Sequence, residues 1–140
     1  MAKTKTKTPQ APEGKIVDFI DGTLRKDSET EQVRQDFERT LIEEYRYERQ
    51  DIGVDVRIKV QDGARTAQRK ASIVVYHPDA EERDASTAHV IIHVVKPGTQ
   101  PTDSKTGTDE LERMLIACPI ARFGCWTNGT VTVYFQKKKQ

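Results

Sequence analysis

Apolar positions fall in short blocks between charged and turn-forming residues, and their spacing predicts an order of elements. Val33, Phe37, Leu41 and Tyr45 recur every four residues, with Ile42 beside them, as on one face of a helix. Arg34, Glu38, Arg39 and Glu43 lie largely off that stripe. Ser28-Glu29-Thr30-Glu31 has the spacing of a capping box, in which hydroxyl and carboxylate exchange bonds with the first amides. An amphipathic helix of roughly 15 residues is therefore expected after Ser28. Val54–Val60 alternates apolar and polar, the mark of a strand with one buried and one wet face. Ser72–Tyr76 and Val90–Val95 are nearly continuous β-branched runs, as in central strands covered on both sides. Gln61-Asp62-Gly63-Ala64 supplies a turn after the first strand, and the polar stretch His77–Ala88 joins the other two. Pro97–Asp103 breaks the third strand into a loop. Thr108 or Asp109 can cap a second short helix through Leu111, Met114 and Leu115 to about Ala117, with Pro119 as its stop. Phe123–Thr127 and Thr130–Phe135 flank Asn128-Gly129, a strong hairpin signal. Helix, three strands, helix and hairpin make an α/β sandwich with helices on a mixed sheet.

Composition narrows the function. The chain has 140 residues, enough for one domain, and its formal net charge of +1 excludes a uniformly basic nucleic-acid coat or an acidic solvating protein. No apolar run approaches the ~20 residues that span a bilayer. The basic N-terminus has no apolar segment behind it, so it does not read as a secretory signal. Residues 1–13, with Lys3, Lys5 and Lys7 and then Pro9 and Pro12, read as a flexible basic tail. Residues 14–137 read as the folded α/β domain, and residues 138–140 as a basic exit into a further C-terminal region. Cys118 and Cys125 make no disulfide framework, and a reducing, cytoplasmic setting is expected.

Several blocks stand in a familiar order: Gln32-Val33-Arg34-Gln35, Ile52-Gly53-Val54, Ala71-Ser72-Ile73-Val74-Val75-Tyr76, Val90-Ile91-Ile92 with Lys96-Pro97, and Ala117-Cys118-Pro119 before Gly124-Cys125-Trp126-Thr127-Asn128-Gly129. Together they resemble the N-terminal domain of type I restriction enzyme R subunits and related N6-adenine DNA methylase polypeptides, within the PD-(D/E)XK nuclease superfamily. The resemblance spans roughly residues 15–137. It implies a restriction-endonuclease-like three-layer α/β/α sandwich, DNA as a partner, and association with other domains or subunits of a restriction–modification system, away from membranes. It also implies Mg²⁺, held by an Asp opening one strand and a Glu in the next, with a Lys two residues further on orienting the attacking water. Glu and Lys at i and i+2 share a strand face, and many members add a Gln and a Tyr on the following helix.

At each of these positions the present chain departs. Ser72 stands at the metal-binding Asp, His93 at the Glu, Val95 at the catalytic Lys, and Glu110 and Met114 at the Gln and Tyr. Lys96 is a possible substitute only if a bulge turns it to the face of Val95. Glu38, Glu43 and Glu44 read as solvent-facing helix charges, His93 as a hydrogen-bonded structural residue, Trp126 as packing, and the two cysteines as core thiols. His77 and His89 receive no role. Lys96, Lys137, Lys138 and Lys139 are the candidate DNA contacts. The expectation is a non-cleaving DNA-associated or docking pseudoenzyme that binds no metal. Two alternatives stay open: an active Mg²⁺-dependent endonuclease using non-standard residues, and a family nuclease altered at its site by engineering.

Overall fold

The computed structural model describes residues 13–137; residues 1–12 of the basic tail and the exit residues 138–140, with Lys138 and Lys139, lie outside the described residues. The elements are β1 (Lys15–Val17), β2 (Leu24–Lys26), α1 (Glu29–Glu43), β3 (Ile52–Asp62), β4 (Arg65–Tyr76), β5 (Ala88–Val94), α2 (Thr108–Ala117), β6 (Phe123–Thr127) and β7 (Thr132–Gln136). The expected sequence of helix, three strands, helix and hairpin is present. An additional hairpin, β1–β2, precedes it.

β3 to β7 form one five-stranded mixed sheet in chain order, with β5 and β6 parallel and the other neighbours antiparallel. The β5–β6 connection carries α2, as a parallel pair requires. The two helices lie on opposite faces. Leu41 of α1, with half-buried Val33 and Phe37, joins Ile73, Val75, Ile92 and Cys125 in one core. Leu111, Met114 and Leu115 of α2 join Val74, Tyr76, Ile91, Cys118 and Trp126 in the other. Gly124 permits the close approach of α2, since a Cβ there would stand 2.8 Å from Leu115 Cδ1.

One irregularity shapes the sheet. Ala71 and Ile73 are two residues apart, so a regular strand would put them on one face. They belong to opposite cores instead, and the β3–β4 pairing is interrupted between Val54↔Ile73 and Val56↔Ala71. Asp55, at that interruption, has φ 52°, a left-handed conformation that an Asp tolerates better than a β-branched residue. The alternation therefore inverts at Asp55 and Ser72. Beyond it the rest of the β3–β4 ribbon turns Val56, Ile58 and Val60 toward the α2 side, closing the core over that helix.

Local signals are met with adjustments. Ser28 Oγ accepts from the Glu31 amide at 3.1 Å, but the Glu31 side chain turns to Arg34 and Gln35 rather than completing the box. Gly107, not Thr108 or Asp109, is the N-cap of α2, because the Thr108 hydroxyl bonds the Pro101 carbonyl. The Asn128-Gly129 turn closes through Asn128 Oδ1, which accepts from the Thr130 and Val131 amides at 2.8 and 2.7 Å.

Candidate functional site

Strand alternation and the two cores place His93 and Val95 of the β5 segment, and Glu110 and Met114 of α2, on one side of the sheet. Val95 and Met114 are buried in the α2-side core, and Val95 continues the parallel ladder through its amide to the Thr127 carbonyl at 2.9 Å. His93 pairs in register with Trp126. Burial holds its imidazole well below its ordinary value, at about 4, so the ring is neutral at physiological pH. Neither ring nitrogen has a hydrogen-bond partner among the described residues, which corrects the expectation of a hydrogen-bonded structural histidine. Its place in the parallel ladder beside Trp126 keeps both ring nitrogens away from solvent. Glu110 is buried, with Oε2 2.7 Å from Arg69 Nε and Oε1 3.7 Å from Arg113 Nη1, beside a polar cleft of about 530 Å³ lined also by Ser104 and Lys105.

Ser72 does not point into that space. It sits where the strand alternation inverts, and its hydroxyl is taken up by the backbone of Val94: Oγ accepts from the amide at 2.9 Å and donates to the carbonyl at 3.3 Å. Lys96 is exposed just beyond buried Val95, and the β4–β5 register shift lies at Val75/Tyr76, away from it. Lys137 Nζ donates to the carbonyls of Leu115 and Cys118, at 2.7 and 2.9 Å, closing the C-terminus of α2. Trp126 is fully buried and donates from Nε1 to the Thr106 carbonyl at 2.8 Å, the packing role expected of it. Cys118 and Cys125 are free, buried thiols in opposite cores, and burial pushes them up to about 11 and about 12.

The largest charged constellation was not expected. Asp18, in the β1–β2 loop, is buried with all its acceptor positions in use. Oδ1 accepts from the amides of Ile20 and Asp21, while Oδ2 accepts from Arg25 Nε at 2.7 Å and Arg34 Nη2 at 2.9 Å. Arg34 also pairs with Glu31 and, at 3.1 Å, with Glu38 Oε2. Arg25 reaches on to Asp21 and Asp55. Gln35, fully buried, accepts from the Phe19 amide at 2.6 Å.

Glu38 is therefore an interior residue, not the solvent-facing helix charge expected of it, and Arg34 is buried beside it. The β1–β2 loop covers their face of α1 and replaces water with Asp18. Burial, followed by the negative charge of Asp18, pushes Glu38 up to about 8 despite Arg34. The cluster fastens hairpin to helix, with its inner carboxylates, Asp18 and Glu38, buried. Among the described residues, no group of three or more His, Cys, Asp or Glu side chains converges as metal ligands, and no helix is long and apolar enough to cross a membrane.

Residues 29–140 match the family model described as the type I restriction enzyme R protein N terminus. No curated protein and no solved structure matches the chain.

Proposed function

The chain belongs to the family of type I restriction enzyme R protein N termini, and we propose that it is a nuclease-like domain that associates with DNA in a restriction–modification system without cutting it. A helix on each face of a mixed sheet supports a three-layer arrangement of the PD-(D/E)XK kind. The observation that carries the non-cleaving reading is the state of the side chains at the family's metal and catalytic positions. The Ser72 hydroxyl is bonded to both backbone groups of Val94. His93 is neutral with both ring nitrogens buried, Val95 is hydrocarbon, and the Glu110 carboxylate is held by Arg69. Mg²⁺ selects carboxylate and water oxygens in octahedral array, and this donor set does not fit it. No hydrolytic step is therefore derived through a metal.

Lys96 does not replace the missing lysine, because it is exposed where Val95 is buried. As an exposed cation it remains a proposed DNA contact, whereas Lys137 is committed to the end of α2.

Titration calorimetry with Mg²⁺ and then Mn²⁺, in the presence and absence of duplex DNA, tests the reading. The expected result is no saturable metal binding together with measurable, salt-sensitive duplex binding. Stoichiometric metal binding overturns the non-cleaving assignment, and absence of duplex binding overturns the association with DNA.

A further inference from the structure

The kink at Asp55 and Ser72 leaves the outer part of β3 and β4 as a two-stranded ribbon with one face on the α2-side core. Residues 57–70 hold Arg57, Lys59, Arg65, Arg69 and Lys70 against the single acid Asp62, in a chain whose net charge is +1. Alternation sorts them. Val56, Ile58, Val60 and Ala67 point to the core, while Arg57, Lys59, Gln61, Thr66, Gln68 and Lys70 are exposed on the outer face.

Register brings these cations together. Arg57 stands directly opposite Lys70, and Lys59 opposite Gln68. Directly opposed side chains on a strand pair lie about 5 Å apart at Cβ, and like charges there destabilise the sheet. Lys59 follows Arg57 on the same face after about 7 Å of strand. Among the described residues, Arg57, Lys59 and Lys70 form no ion pair, although the chain pairs its arginines readily elsewhere. Three unpaired cations in one short row do nothing for the isolated fold. They suit a polyanion with regularly spaced charge.

We infer that the outer face of the β3–β4 ribbon, through Arg57, Lys59 and Lys70, is a contact surface for the phosphates of duplex DNA. The inference rests on the reading of this domain as DNA-associated and gives it a location. The face bears no aromatic residue, so it lacks the stacking platform that single strands use. It has no large apolar side chain of the kind that anchors a basic surface in a membrane interface. Gln61, Thr66 and Gln68 lie among the cations and add the amide and hydroxyl donors common at phosphate and sugar contacts. A two-stranded ribbon also has the width that the major groove admits.

The test is fluorescence anisotropy of a labelled mixed-sequence duplex over roughly 50 to 200 mM salt. Wild type is compared with the triple variant Arg57→Gln, Lys59→Gln, Lys70→Gln and with a control triple variant, Lys15→Gln, Lys26→Gln, Arg46→Gln, that removes three exposed cations elsewhere. The ribbon variant is expected to bind roughly tenfold or more weakly at low salt. Its slope of log affinity against log salt should be smaller by about 2 to 3, one phosphate contact being worth about 0.9. Thermal unfolding of each variant confirms that the fold is kept. A ribbon variant that matches wild type overturns the location while duplex binding by both preserves the DNA reading. Equal losses in the ribbon and control variants overturn the location as a net-charge effect. Polyglutamate bound as tightly as the duplex overturns the assignment to DNA phosphates. Failure of wild type to bind duplex at low salt overturns the DNA reading and the ribbon with it.

Discussion

The Ser72 hydroxyl bonds both backbone groups of Val94, accepting from its amide at 2.9 Å and donating to its carbonyl at 3.3 Å. A side chain at the position expected to hold a metal-binding carboxylate thus serves as a rung between β4 and β5, where the strand alternation inverts. Replacing it has defined consequences. Ser72→Ala leaves two buried backbone groups unbonded and should lower unfolding stability by about 1–3 kcal/mol. Ser72→Asp should cost more, because an ionised carboxylate cannot donate to the Val94 carbonyl and is carried into the interior. Urea unfolding midpoints for the two variants at neutral pH check both the size and the order.

Arg34 connects Asp18 of the hairpin loop to Glu38 of α1, and it is 4% exposed. Removing one partner of a buried charge cluster leaves the others uncompensated. Arg34→Met should therefore destabilise the domain by about 3–5 kcal/mol. Native-state hydrogen exchange should show the β1–β2 amides losing protection before those of the central sheet. Uniform loss across the chain would mean that the cluster does not fasten the hairpin.

Glu38 gives stability a pH dependence of known sign. Its folded value, raised to about 8 by burial and by Asp18, lies above the 4.5 of the unfolded chain. The folded state therefore holds a proton that the unfolded state releases, and this contribution, present in full below about pH 4.5, is lost as pH rises through 8. Glu38→Gln keeps the neutral form at every pH. The stability difference between variant and wild type should grow in favour of the variant from pH 5 to pH 8.5, by a few kcal/mol at about 1.4 kcal/mol per unit. Denaturant titrations at several pH values measure it, and a flat difference contradicts the assignment.

His93 works in the opposite direction. Its folded value of about 4 lies below the ordinary 6.5, so its contribution is present above pH 6.5 and lost as pH falls through 4. Its two unbonded ring nitrogens also cost the neutral protein. His93→Leu should be neutral or stabilising by about 1 kcal/mol at pH 7, and relatively more so at pH 5. Thermal melts at the two pH values decide this.

The regular core was legible because its determinants are local. The four-residue stripe of α1, the β-branched runs of β4 and β5 and the Asn128-Gly129 turn each fix an element without reference to the rest of the chain. The hairpin β1–β2 carries a similar local signal in Asp21-Gly22, where Gly22 adopts φ 73°, but its strands of three residues are too short to alternate recognisably. Two other features depend on distant contacts. Arg34 and Glu38 look like surface charges until Asp18 covers them from across the β1–β2 loop, and burial of this kind leaves no periodicity. The inversion at Asp55 and Ser72 is likewise invisible in Val54–Val60, whose apolar positions alternate without a break even though their faces do not.

The side chains at the proposed site positions were legible as residue types, and their environments were not. Nothing in the order of residues says that the Ser72 hydroxyl turns to Val94, that Lys137 closes α2, or that His93 finds no partner. The basic row on β3 and β4 is present in the sequence, but its coherence depends on the cross-strand register that sets Arg57 against Lys70.

Under the proposed reading this domain does not cut DNA. The most direct measurement is cleavage of supercoiled plasmid by the purified chain, with Mg²⁺ and with Mn²⁺, beside the variant Ser72→Asp, His93→Glu, Val95→Lys that supplies the residues the proposed reading expects of an active nuclease. The wild-type chain should leave the plasmid intact with either metal. Nicking or linearisation that follows the wild-type protein through successive purification steps, and disappears when metal is chelated, would contradict it.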